Sequence, residues 1–147
     1  MPETNVNQTI RRFGHPETLV AEYAHWVVLL RTDQPTLGSL VLAARSQGEA
    51  FSALPAPAFA ELARVTGDIE KALRKAVSYE KINYLMLMMA DPNVHFHVIP
   101  RYQGLREAEG IVIADSGWPK TPALGDVRTL DQGEIVNLVR WLKACWD

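Results

Sequence analysis

Asn93-Val94-His95-Phe96-His97-Val98-Ile99-Pro100-Arg101 places two of the chain's four histidines two residues apart, between large apolar side chains. In an extended strand, successive side chains point to opposite faces. Asn93, His95, His97 and Ile99 then share one face, and Val94, Phe96 and Val98 share the other. The backbones of the two histidines stand about 6.5–7 Å apart along such a strand, close enough for both rings to reach one small group together. Three chemistries suit a His-x-His pair on a strand. Both rings can be partly buried and hydrogen-bonded for structure. They can ligate a transition metal, with a third ligand from His15, His25, Asp91 or Glu107, none of which the spacing selects. Or one neutral imidazole can attack a phosphorus while its neighbour donates hydrogen bonds or a proton to the oxygens.

Working outward, Lys81 to Ala90 reads as a buried apolar strand, and Asp91-Pro92 as the tight turn into the histidine strand, which is therefore expected inside the sheet. Before it, Phe59, Leu62, Ala63, Thr66, Ile69, Leu73, Ala76 and Val77 recur at helical spacing, predicting an amphipathic helix over about residues 57–78. Earlier still, Tyr23 to Arg31 and Ser39 to Arg45 read as two strands of a hairpin, with Gly38 where the backbone turns sharply. After the histidines, residues 103–128 lack a sustained period and read as a loop with one short strand, Ile111-Val112-Ile113. Asp131 followed by Glu134 is a capping-box pattern, and Ile135, Leu138, Val139, Leu142, Cys145 and Trp146 form one face of a closing helix over about 131–146. Strands interleaved with two long helices indicate an antiparallel α+β layer in a single domain spanning residues 1–147.

The bulk numbers narrow the function classes. At 147 residues, 48% hydrophobic and 22% charged, the chain can bury a real core. A net charge of -2 argues against a protein that coats nucleic acid and leaves a nucleotide possible as a small molecule. Cys145 is the single cysteine, which excludes an intrachain disulfide and suits a reducing compartment, so the cytoplasm is the expected location. Met1-Pro2-Glu3-Thr4-Asn5 shows no basic-then-apolar leader pattern. The longest apolar run, Tyr84 to Ala90, is too short to span a bilayer, so no membrane association is expected.

His95-Phe96-His97-Val98-Ile99-Pro100-Arg101, preceded by a strand, a long amphipathic helix and a hairpin running into Gly38-Ser39-Leu40-Val41-Leu42, resembles the histidine triad (HIT) superfamily. The resemblance covers about residues 20–103. Its Val-Ile-Pro-Arg ending is most similar to the Fhit-like dinucleoside polyphosphate hydrolase branch. It implies a HIT-like sheet of about five antiparallel strands packed with two main helices, joined edge to edge in a homodimer. It also implies a nucleotide hydrolase or nucleotidyl transferase acting on a dinucleoside polyphosphate or nucleoside phosphoramidate. In that register His97 is the last triad member, His95 the central one and Asn93 the occupant of the first position. The resemblance gives His95 the nucleophile's role through a covalent nucleotidyl intermediate, gives His97 the phosphate contact and proton donation, and gives Asn93 their positioning.

Attack by imidazole requires one free nitrogen aimed at phosphorus and the other tied by a hydrogen bond, which a backbone carbonyl can supply. No metal, Gly-rich phosphate loop or other cofactor is demanded, and the chain has neither G-x-x-x-x-G-K-[ST] nor G-x-G-x-x-G. Departures from the pattern are concrete. Asn93 stands where the first histidine is usual, Ser39 replaces a histidine often found beside the catalytic one, and the loop before the triad shrinks to Ala90-Asp91-Pro92. They motivate the alternative of a nucleotide-binding or scaffold protein with weakened catalysis. By the same alignment Arg31 takes the ribose-binding position, where it can hold a phosphate or carboxylate or end a solvated strand, and Leu29 either lines the base pocket or is core. Ser39 and Arg101 complete the candidate substrate-binding set, Arg101 either steering polyphosphate or pairing with a carboxylate. Met86, Met88 and Met89 read as packing, Trp118 as a pocket or interface aromatic, and Trp141 as an interface residue.

Overall fold

The computed structural model describes residues 6–146; the leader reading of Met1 to Asn5 falls outside them. In chain order the elements are α1 (Gln8–Arg12), β1 (Leu19–Glu22), β2 (Trp26–Leu30), β3 (Asp33–Gln34), β4 (Leu40–Ala44), α2 (Ala56–Val77), β5 (Lys81–Leu85), β6 (His95–Arg101), β7 (Leu105–Ala108), β8 (Ile111–Ala114), β9 (Arg128–Thr129) and α3 (Gln132–Cys145). Five strands form an antiparallel sheet in the order β1-β2-β4-β6-β5, so the histidine strand is inside the sheet as expected.

Each strand alternates sides, and the two faces have different covers. Trp26, Val28 and Leu30 of β2, Leu40, Leu42 and Ala44 of β4, and Val98 of β6 form the larger core. They meet Val65, Ile69, Leu73 and Val77 of α2 and Leu138, Val139 and Leu142 of α3. The Trp26 indole N–H donates to the Ala58 carbonyl at 2.8 Å, pinning α2 to the sheet while satisfying a polar atom that would be costly unpaired. The opposite face carries a smaller cluster, Val27, Leu29, Val41 and Ala43, covered by Ile10 of α1. His95 and His97 lie on this second face, opposite Ala43 and Val41 in register.

The β2–β4 connection is held by one side chain. Gln34 donates through Nε2 to the Arg31 and Ser39 carbonyls at 2.6 and 2.8 Å, and its Oε1 accepts from the Gly38 amide at 2.9 Å. Gly38 has φ +93, a left-handed backbone that favours glycine, while an added Cβ would meet Leu73 and Pro100 only at ordinary contact distance. The Asp131–Glu134 capping box opens α3 as anticipated.

Several expectations are corrected. Lys81 to Ala90 is a half-buried edge strand that ends at Leu85, and Met88 takes a left-handed φ of 53, which breaks extension. Met86 and Met88 pack on the core, but Met89 is exposed. The buried face of α2 is Ala58, Val65, Ile69, Ala72, Leu73 and Val77, leaving Phe59 at the exposed start of the helix. Residues 103–128 contain a full hairpin, β7–β8. Its two-residue turn, Glu109-Gly110, has both φ values positive, the geometry that matches strand twist, and a Glu at the first turn position hid it. Trp141 packs, partly buried, against the larger core rather than standing free.

Candidate active site

The turn before β6 sets the histidine pair. Asn93 is buried, and its backbone and side chain face α1. The Asn93 amide donates to Thr9 Oγ1 at 2.9 Å, the Thr9 amide donates back to Asn93 Oδ1 at 3.3 Å, and Asn93 Nδ2 donates to the Gln47 carbonyl at 3.0 Å. The clamp leaves the Asn93 carbonyl for His95, whose Nδ1 lies 2.8 Å from it. A carbonyl only accepts, so Nδ1 of His95 carries a proton, and in the neutral ring Nε2 holds a free lone pair. This is the tied-and-free arrangement that a nucleophilic imidazole needs.

His97 stands beside it, the two rings 5.1 Å apart and nearly perpendicular. Arg31, just past β2, approaches from the neighbouring side with Nε 3.3 Å from His97 Nδ1, and its Nη1 donates to the Asp33 carbonyl. Burial first, then the Arg31 charge, then His95, push the His97 pKa down to about 4, so this ring is neutral at neutral pH. Burial also lowers the Arg31 pKa, partly opposed by Asp33, although a guanidinium stays protonated throughout. The ring of Phe13 lies 5.4 Å from that of His95 and 5.8 Å from that of His97, and with α1 it leaves only 2% and 8% of the two histidines exposed.

The other sequence-selected residues are less free. Ser39 is fully buried; its hydroxyl donates to the Thr36 carbonyl at 2.8 Å and meets the Thr36 hydroxyl at 3.0 Å. Leu29 shares the histidine face but is fully covered and packs in the cluster under Ile10. Arg101 is buried and fully engaged. Its Nε and Nη2 pair with Asp115 at 2.7 and 3.1 Å, and Nη1 donates to Asn83 Oδ1 at 2.8 Å, so the carboxylate-pairing alternative describes its place. Asp91, the carboxylate in the short loop, is held by Arg12 at 2.9 Å, which offsets its charge near an anion. Trp118 lines a cleft of about 670 Å³ beside β5, with Lys81, Asn83, Leu85 and Lys120.

Sequence reading missed Asn7, Thr9 and Phe13. The signal was Asn7, whose side chain accepts from the Ile10 amide as an N-cap and donates to the Ala44 and Ser46 carbonyls. A five-residue helix is too short to show periodicity. For the metal reading, among the described residues no three His, Cys, Asp or Glu side chains are grouped to hold an ion. No helix among them is long and apolar enough to cross a membrane.

No protein-family model matches the chain, and no curated protein sequence does. Solved structures do match. A histidine triad protein from Sinorhizobium meliloti is 21% identical, with a TM-score of 0.71 over 94% of this chain and 93% of that one. Another, from Bradyrhizobium japonicum, is 22% identical with a TM-score of 0.67, covering 87% of this chain and 89% of that one. The diadenosine triphosphate hydrolase of Plasmodium falciparum, in complex with cyclomarin A, is 7% identical with a TM-score of 0.64, covering 88% of this chain and 76% of that one. At such identities the likeness is one of architecture: the chain has the α+β histidine triad fold, a five-stranded antiparallel sheet packed with helices.

Proposed function

We propose that the protein is a nucleotide hydrolase or nucleotidyl transferase that acts on a dinucleoside polyphosphate or nucleoside phosphoramidate through a nucleotidyl-histidine intermediate. The observation that carries this reading is the 2.8 Å bond from His95 Nδ1 to the Asn93 carbonyl, which fixes the tautomer with Nε2 free. His95 is the nucleophile, His97 contacts the phosphoryl oxygens, and Asn93 positions the pair by holding His95 through its carbonyl and its own turn through the clamp on Thr9. The fold shared with a diadenosine triphosphate hydrolase supports the substrate class. Arg31 is the one substrate-binding candidate that touches the pair, and it does so at His97. β5 is an edge strand whose outer backbone groups are available to a second copy, so the assembly is proposed as a homodimer, in the cytoplasm.

The test is an intact-mass measurement. The protein is incubated with a dinucleoside triphosphate or a nucleoside phosphoramidate and quenched in base; a nucleotidyl adduct is expected, and none in His95→Ala. No adduct across both substrate classes overturns the enzyme reading.

Two observations favour the second reading, nucleotide binding or scaffolding without turnover: Phe13 covers both imidazoles, and the Ser39 hydroxyl is spent on Thr36. Calorimetric nucleotide binding that survives His95→Ala, with no turnover, would decide for it.

A further inference from the structure

A guanidinium Nε–H can only donate, so the 3.3 Å contact from Arg31 requires an unprotonated Nδ1 on His97. A ring that accepts at Nδ1 is neutral and carries its proton on Nε2. His95 is fixed the other way round by the Asn93 carbonyl, with the proton on Nδ1. Two histidines of identical chemistry, two residues apart, are thus held in opposite tautomers, one presenting a lone pair at Nε2 and the other an N–H. We infer that Arg31 is a positioning residue that locks His97 as a neutral hydrogen-bond donor, and that it thereby favours substrates whose leaving group departs as a phosphate anion over those whose leaving amine must be protonated. The substrate half of this inference rests on the function proposed above; the tautomer half does not.

The bond changes show why the lock selects. The Nε2 lone pair of His95 forms the bond to the α-phosphorus. In a phosphoanhydride, the bridging P–O bond breaks, its electron pair stays on oxygen, and the nucleotide leaves as an anion that needs no proton. In a phosphoramidate, the P–N bond breaks and the nitrogen must gain a proton as it leaves. A neutral His97 can hydrogen-bond the phosphoryl oxygens through Nε2–H, but surrendering that proton would create an imidazolate. In the second step water attacks phosphorus, the P–N bond to His95 breaks with its pair returning to Nε2, and the water proton passes to solvent.

His97 is walled in by few groups that could undo this. Arg31 and, on its own strand, His95 are the charged or titratable side chains that act on it. The residues beside it in the sheet, Val41 of β4 and Leu85 of β5, are apolar, and α1 is followed by the Phe13 ring. The depressed His97 pKa has the sign that this enclosure requires.

Nitrogen-15 NMR of the histidine-labelled protein reads the tautomers without substrate. At neutral pH, His97 should show a bare Nδ1 and protonated Nε2, and His95 the reverse. In Arg31→Met, His97 should lose its single tautomer and titrate at higher pH; Arg31→Lys, whose ammonium also only donates, should keep both the low titration and the tautomer. A His97 that is charged at neutral pH, or protonated on Nδ1, overturns the lock with no variant needed. On the substrate side, a positioned general acid is typically worth about 10²–10⁴-fold. The wild type should therefore prefer a dinucleoside triphosphate to a phosphoramidate by about 10²-fold or more in kcat/KM. Arg31→Met should narrow the gap, most at mildly acidic pH. Equal kcat/KM values refute the selectivity. Opposite tautomers with no adduct on either substrate leave the lock standing and remove the function and its selectivity together, whereas an adduct with the wrong tautomers does the opposite.

Discussion

Replacing Asp115 with Asn should destabilise the protein severely, because it leaves the Arg101 charge buried without its counter-ion. The two side chains are 4% and 1% exposed and meet at 2.7 and 3.1 Å. The same carboxylate also accepts from the Tyr102 and Gly117 amides, each at 3.2 Å. Breaking a buried pair from one side costs about 3–5 kcal/mol, since the attraction is lost while the desolvation cost of the survivor persists. With a urea m-value of about 2 kcal/mol/M for a chain of this size, a 4 kcal/mol loss lowers the unfolding midpoint by about 2 M. Replacing both partners, as Arg101→Met with Asp115→Asn, removes the orphaned charge while keeping a side-chain oxygen for the backbone amides, and should recover part of that loss. Equilibrium urea unfolding followed by tryptophan fluorescence measures all three proteins. A loss below about 1 kcal/mol in Asp115→Asn would match a solvated pair and refute the argument, as would a double variant no more stable than the single one.

Tyr102→Phe should cost about 1–3 kcal/mol in the same assay, because the hydroxyl donates to the Ile113 carbonyl at 2.9 Å and accepts from the Leu37 amide at 2.8 Å, both buried groups left without a partner. Stability should also depend on pH through His97. Its folded pKa of about 4 lies below the ordinary 6.5, so between those values the unfolded chain binds more protons; this contribution is fully present above about pH 6.5 and fades as pH falls through about 4. His97→Phe should flatten that part of the stability–pH curve, and an unchanged slope would contradict the assigned neutral state. Asn93→Ala should loosen α1 while leaving the sheet intact, seen as faster hydrogen exchange at the Thr9 and Ile10 amides than in β2 and β4; uniform protection across both would refute the clamp.

The sequence was most legible where periodicity was long or a motif was short-range. The alternation around His95 and His97 foretold their shared face, and Asp131 with Glu134 foretold the start of α3, because both patterns depend only on local geometry. Lys81 to Ala90 misled because an apolar run does not say whether a strand has one neighbour or two. At the site, the spacing brought the two histidines together, but nothing local announced Phe13 or Thr9, which arrive from α1 through the tertiary fold. Arg31 had two open readings in the sequence, phosphate ligand or solvated strand end; in the structure its Nε is directed at His97. Arg101 is equally ambiguous until the β7–β8 hairpin brings Asp115 beside it, and of that hairpin the sequence shows only the short strand Ile111-Val112-Ile113.

Thr9 and Asn93, which bond to each other reciprocally, are 84 residues apart. The β2–β4 hairpin closes a smaller loop at lower entropic cost, whereas the histidine strand β6 pairs with β4 over longer separations, as Val41 with His97. The geometry of His95 therefore rests on a long-range contact outside the strand ladder, the Thr9–Asn93 pair that anchors the carbonyl fixing its proton. A chain that loses this closure should keep its secondary structure and most of its core, and lose the single tautomer of His95. Circular dichroism alone would then pass as native a protein whose histidine pair had lost its fixed proton positions.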